Sequence, residues 1–100
     1  MHTDMKTLET LRAHKDEIEH LAKIHGARNI RVFGSVARAE DTSDSDIDFL
    51  IDMEESRSLL DLIGFKQDLE AMLNRPTDVL TERGINPYLR KRILDEAVTL

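Results

Sequence analysis

The 100-residue chain contains no cysteine and no tryptophan, and its aromatic residues are limited to Phe33, Phe49, Phe65 and Tyr88. Without cysteine, disulfide stapling and thiolate metal sites are excluded, and a reducing compartment suits the chain. No apolar run exceeds a few residues, so no spanning helix is expected. The opening "MHTDMKTLETLRAHKDEIEHL" is too charged for a secretory signal, which makes the cytoplasm the expected location. Internal repeats, low-complexity tracts and an interdomain linker are also missing. The length fits one domain spanning residues 1–100, with 1–6 expected as a flexible N-terminus. Separate substrate and catalytic domains would not fit. If the chain is an enzyme, it is a minimal one, or a partner completes it.

The net charge is −6, which argues against direct nucleic-acid binding through phosphate contacts. It does not exclude nucleotides, because a bound divalent cation inverts the local field. The acids are unevenly spread. Residues 40–55 hold eight: Glu40, Asp41, Asp44, Asp46, Asp48, Asp52, Glu54 and Glu55. No lysine or arginine lies between Arg38 and Arg57.

Apolar spacing predicts a helix over residues 7–25, closed by Gly26, with Thr7, Thr10 or Asp4 as candidates for its start. "IRVF" (30–33) reads as a strand, broken by Gly34-Ser35; "VARA" reads as a helical turn or two, and "EDTSDS" as a loop. "DIDFLI" (46–51) alternates and then turns fully apolar, as an interior strand does. A second helix is expected over 58–73 with Gly64 at a kink or close contact, and a third strand over 77–81. Asn86-Pro87 forms an N-cap and N1 pair for a last helix that presents Leu89, Ile93, Leu94, Ala97 and Val98 to the chain end. The expected fold class is α/β: a short mixed sheet of about three strands packed against three main helices.

Asp46 and Asp48, two apart on a strand, share one face, while Ile47 and Phe49 point into the core. Two carboxylates that close resist joint ionisation unless a positive charge sits between them. A divalent cation resolves this, and hard oxygen ligands suit Mg²⁺ or Mn²⁺ completed by phosphates and water. Asp78 would join them if the second and third strands are neighbours. Gly34 and Ser35, at a strand-to-helix turn, can approach a phosphate through backbone N–H groups and a hydroxyl. Arg38 either reaches a phosphate or pairs with the acids. Taken singly, each feature has a plainer reading: a solvated strand face, a turn, a surface ion pair. Asp41 and Asp44 read as loop or capping residues. Acids at positions 1, 3, 5, 9 and 12 counted from Asp44 echo a calcium loop, but Phe49 stands where that loop needs glycine. His2, His14, His20 and His25 contain no i,i+4 pair and read as surface or packing residues.

The stretch "GSVARAEDTSDSDID" resembles the signature of polymerase-beta-type nucleotidyltransferases: Gly-Ser, ten residues, then Asp-x-Asp. "GSVAR", the chain length and the ending "NPYLRKRILDEAVTL" resemble the minimal nucleotidyltransferases. The resemblance implies transfer of a nucleoside monophosphate, AMP from ATP, to an acceptor hydroxyl with Mg²⁺ (or Mn²⁺) and release of pyrophosphate. It implies that Gly34, Ser35 and Arg38 hold the triphosphate and that Asp46 and Asp48 bind both metals. Asp78 would complete one metal and assist deprotonation. It further implies a small all-helical partner, a HEPN-type ribonuclease toxin, with this chain as its antitoxin, modifying a toxin tyrosine and forming a hetero-oligomer with it. The alternative is an antitoxin that neutralises its partner by binding alone, with a weak metal site. Two departures bear on this. The subgroup continues Ala-Arg-Gly where this chain has Ala37-Arg38-Ala39, and its loop is richer in acid, so weaker triphosphate binding is expected.

Overall fold

A computed structural model describes residues 6–100. The candidate start residue Asp4, the histidine His2 and all but Lys6 of the expected flexible N-terminus lie outside the described residues. The elements run α1 (Thr7–Ala13), α2 (Lys15–His25), β1 (Ala27–Phe33), α3 (Gly34–Ala37), β2 (Ile47–Met53), α4 (Leu59–Leu73), β3 (Thr77–Thr81), a 3-10 turn (Glu82–Gly84), α5 (Pro87–Glu96) and β4 (Val98–Thr99). The sheet order is β3-β2-β1-β4. β1 is antiparallel to β2 and β4, and β2 is parallel to β3. Among the described residues no helix is long and apolar enough to cross a membrane.

The expected small α/β fold with a mixed sheet is present, with three local corrections. The first helix is two helices, broken at His14 (φ −102°, ψ 17°) where the apolar spacing lapses before Lys15. Leu11 before the break and Ile18 after it both reach the core, at 1% and 0% exposure. Among the described residues no side chain caps α1; Thr7 Oγ1 donates to Asp41 instead. At the other end the chain leaves the helix at Ala97, which is extended, so Val98 does not continue the helical face. Val98 pairs with Val32 and Thr99 with Arg31 in a fourth strand, where β-branched residues fit well. Finally, β2 starts at Ile47, so Asp46 lies just outside it.

Other boundaries follow the sequence. Gly26 closes α2 in the left-handed conformation (φ 76°), which costs glycine nothing. Ser58 N–H donates to Asp61 across the first turn of α4, and Asn74 (φ 55°) ends that helix. Gly64 is a close contact: a Cβ there would lie 2.8 Å from the ring of His25. That ring bonds Asp68 at 2.6 Å and stacks at a tilt near Phe65, so His25 is a packing residue.

One sheet face carries Val32, Ile47, Phe49 and Ile51, sealed by Leu11, Ile18, Phe65 and Leu69 from α1, α2 and α4. The other face carries Phe33 and Leu50 under Ile85 and Ile93. The cover on this second face is small, and it leaves one end of β2 and β3 open.

Candidate active site

β2 is buried through Ile47, Phe49 and Ile51, so its period of two sends Asp48 and Leu50 to the thinly covered face. Leu50 is sealed, while Asp48, nearer the open end, is half-buried. The parallel register sets Asp48 opposite Asp78, which is exposed. This strand adjacency was the condition on which Asp78 depended. Asp46 is exposed, one residue before the ladder. Asp48 senses the other two acids: its carboxyl is pushed up from an ordinary 3.8 to about 6. Burial is the largest cause, followed by the charges of Asp78 and Asp46; Arg38 opposes them and Glu96 adds to them.

The acids of residues 40–55 divide by partner. Glu40 pairs with Arg38, Asp41 with Arg75, Asp52 with Arg31, Glu54 with Arg57 and Glu55 with Arg83. Among the described residues, Asp44, Asp46, Asp48 and also Asp78 have no cation within 4.0 Å. Most of the acidic stretch is therefore ordinary ion pairing; apart from Asp44 in the loop, its unpaired carboxylates are Asp46 and Asp48, with Asp78 across the ladder from Asp48. Asp41 is a loop residue, one of the two expected readings, and anchors that loop to Arg75.

Gly34 has φ 72°, and a Cβ on it would sit 2.4 Å from Asp48 Oδ2. The turn thus needs glycine twice over, for its left-handed backbone and for the approach of the Asp48 carboxylate. Ser35 follows, half-buried, and its carbonyl accepts from Glu40 N–H at 2.8 Å. Arg38 donates to Glu40 at 3.2 Å and also to Glu96 in α5, and these bonds raise its already high pKa. It stays close enough to lower the Asp48 pKa. Ala39 takes φ 59°, the glycine-favouring conformation at the position where the subgroup has glycine.

A cavity of about 500 Å³ opens on Asp48 and Asp78 and is walled by Phe33, Ile63, Leu80 and Leu89, with Lys66 at its side. A larger hollow of about 810 Å³ lies between α1 and the 41–43 loop, away from all three aspartates. The carboxylates, and not hollow size, locate the site. Sequence reasoning did not find this apolar wall, nor the roles of Glu96 and Arg75. Arg75 lies in the short link between α4 and β3, and nothing in its spacing points to the 41–45 loop.

Among the described residues no three His, Asp or Glu side chains already enclose a metal position. Mg²⁺ sites at phosphate-processing centres use one or two protein carboxylates and take the rest from phosphates and water, so no preformed cage is required. A half-buried carboxyl raised by two neighbouring carboxylates is a donor set that a hard divalent cation fits.

The nucleotidyltransferase domain family matches residues 11–100. The protein adenylyltransferase MntA of Thermococcus cleftensis is 41% identical over 98 residues, covering 94% of this chain and 96% of that one. A solved structure provisionally named a minimal nucleotidyltransferase superposes with TM-score 0.84 at 46% identity, over 99% of this chain and 100% of that chain. More distantly, the structure of a tri-AMPylated Shewanella oneidensis HEPN toxin in complex with MNT antitoxin superposes with TM-score 0.66 at 17% identity, covering 88% and 69%. That last likeness is one of fold alone. With nine-tenths of its length matched by the family and its fold shared from end to end with a minimal relative, this chain belongs to the nucleotidyltransferase domain family.

Proposed function

We propose that the chain is an Mg²⁺-dependent protein adenylyltransferase that transfers AMP from ATP to a hydroxyl of a partner protein, a HEPN-type toxin it neutralises. The observation that carries this reading is Asp48 set opposite Asp78, near enough to Asp46 for both charges to raise its pKa, with no cation within 4.0 Å of any of the three among the described residues. The likeness to an adenylyltransferase over nearly both full lengths supports the chemistry. The complex of an AMPylated toxin with a chain of this fold supports the partner.

In this reading Asp46 and Asp48 hold two metal ions and Asp78 completes one of them. Mg²⁺ or Mn²⁺ bound there supplies Lewis-acid charge to the phosphate oxygens. Gly34 and Ser35 hold the triphosphate by backbone N–H groups and a hydroxyl, and Arg38 adds positive charge at the same end. Asp78, on the exposed edge strand, accepts the proton of the acceptor hydroxyl, which we take to be a tyrosine. The acceptor oxygen bonds to the α-phosphorus, the bond to the bridging oxygen breaks, and pyrophosphate leaves. In this reading the acceptor hydroxyl arrives on another protein.

The test is incubation of the purified partner with α-labelled ATP, Mg²⁺ and either wild type or the Asp46→Asn, Asp48→Asn double variant. Label on the partner with wild type alone is expected; equal labelling by the double variant contradicts the mechanism. A second reading, neutralisation by binding alone, draws on the engagement of Arg38 by Glu40 and Glu96. It predicts an unlabelled partner that is still neutralised.

A further inference from the structure

Asp46 stands outside the β2 ladder, so strand pairing alone does not fix it. The peptides on either side of it are held from one short segment, residues 75 and 76. Before it, Arg75 Nη2 donates to the Ser45 carbonyl at 2.7 Å and to the Thr42 carbonyl at 3.1 Å. After it, Ile47 N–H donates to the Pro76 carbonyl at 3.0 Å. The Ser45 carbonyl belongs to the peptide whose nitrogen is that of Asp46, so turning this peptide would swing the Asp46 side chain. Arg75 Nη1 in turn donates to Asp41 Oδ2 at 3.3 Å and Thr7 Oγ1 at 3.1 Å, and Thr7 donates to the same carboxylate at 2.5 Å.

The clamp is sheltered: the side chains of Arg75 and Asp41 are 18% and 10% exposed. Among the described residues Arg75 Nε is buried without an acceptor, an unfavourable placement for a donor. The terminal nitrogens account for it. Only a rigid planar fork spans two carbonyls with one nitrogen and a carboxylate with the other, and lysine has no such fork.

We propose that Arg75 is a positioning residue for Asp46, clamping the 41–45 loop so that the carboxylate enters the metal site in one orientation. This rests on Asp46 being a metal ligand. Arg75 itself touches neither substrate nor metal.

The experiment is Mn²⁺ titration of the full chain, followed by electron paramagnetic resonance, with thermal melting to verify folding. Asp46→Asn tests the underlying reading: if it binds Mn²⁺ as wild type does, or if wild type binds none, Asp46 is no ligand and the proposal falls with it. Given weakened binding in Asp46→Asn, Arg75→Met is expected to weaken Mn²⁺ binding about tenfold, as losses behind a metal ligand do. Arg75→Lys should fall between Arg75→Met and wild type. Asp41→Asn, which leaves both carbonyl contacts in place, should stay within about twofold of wild type while melting lower. Unchanged Mn²⁺ binding in folded Arg75→Met overturns the positioning role and leaves the site reading intact. If Arg75→Met does not fold, unchanged binding in Arg75→Lys overturns it equally. An Asp41→Asn loss as large as that of the Arg75 variants also overturns it, since the ion pair alone would then explain the effect.

Discussion

Asp48 and Asp78 face each other across parallel β2 and β3, and neither has a cation within 4.0 Å among the described residues. Folding therefore places a half-buried acid beside a second carboxylate, and the Asp48 pKa rises to about 6. The consequence for stability has a definite sign. A carboxyl whose pKa is raised on folding keeps its proton to higher pH than in the unfolded chain. Its contribution to stability is fully present below about pH 4 and is lost as pH rises through about 6. Metal-free protein should thus lose part of its thermal stability between these values. Asp48→Asn should flatten that part of the profile and stabilise the metal-free protein at pH 7 by roughly 1–2 kcal/mol after allowing for solvent screening. Thermal melts in chelator across pH 4–8 check both.

Mg²⁺ should reverse this penalty. Binding to the folded state alone raises Tm with metal concentration, and the gain should shrink below about pH 6, where Asp48 holds its proton. Replacing Asp46, Asp48 or Asp78 with asparagine should lower transfer on the order of 10²–10³-fold or more, as loss of a preorganised charged group does. None of the three should lower the metal-free Tm. Initial rates and melts on the same preparations make the comparison.

Ala39 occupies the left-handed region at φ 59°. A Cβ there costs on the order of 1–2 kcal/mol, while glycine costs up to about 1 kcal/mol in unfolded-chain entropy. Ala39→Gly should therefore stabilise by roughly 0.5–1 kcal/mol, or about 2–8 °C in Tm. If triphosphate binding is limited by strain in this loop, KM for ATP falls as well. Melting and initial-rate kinetics separate the two effects.

Gly34→Ala should have the opposite result. The new Cβ meets both the left-handed backbone and Asp48 Oδ2 at 2.4 Å. A loss of at least roughly 1–2 kcal/mol is expected from the backbone alone, together with a loss of Mn²⁺ binding as Asp48 is displaced. Unchanged metal binding in folded Gly34→Ala would show that the contact does not hold the carboxylate.

The sequence made the hairpin half of the site readable and left the rest conditional. Gly34, Ser35, Asp46 and Asp48 lie within fifteen residues, and their spacing alone brings the turn and the acid pair to one end of the sheet. Asp78 arrives through the α4 crossover, and no local pattern states that β2 and β3 are neighbours. β4 was hidden because Ala97 and Val98 continue a helical spacing, and only pairing with β1 prefers extended backbone there. The break at His14 was signalled faintly by lapsed periodicity at Lys15. Arg75 could not be found, since its contacts lie about thirty residues away along the chain, at Asp41, Thr42 and Ser45.

The most direct measurement is the intact mass of the partner protein after incubation with ATP and Mg²⁺, with wild type and with Asp48→Asn. The account predicts an increase by whole AMP units with wild type, absent with Asp48→Asn and absent in chelator. A partner of unchanged mass that is nonetheless neutralised, or one modified equally by Asp48→Asn, would contradict it.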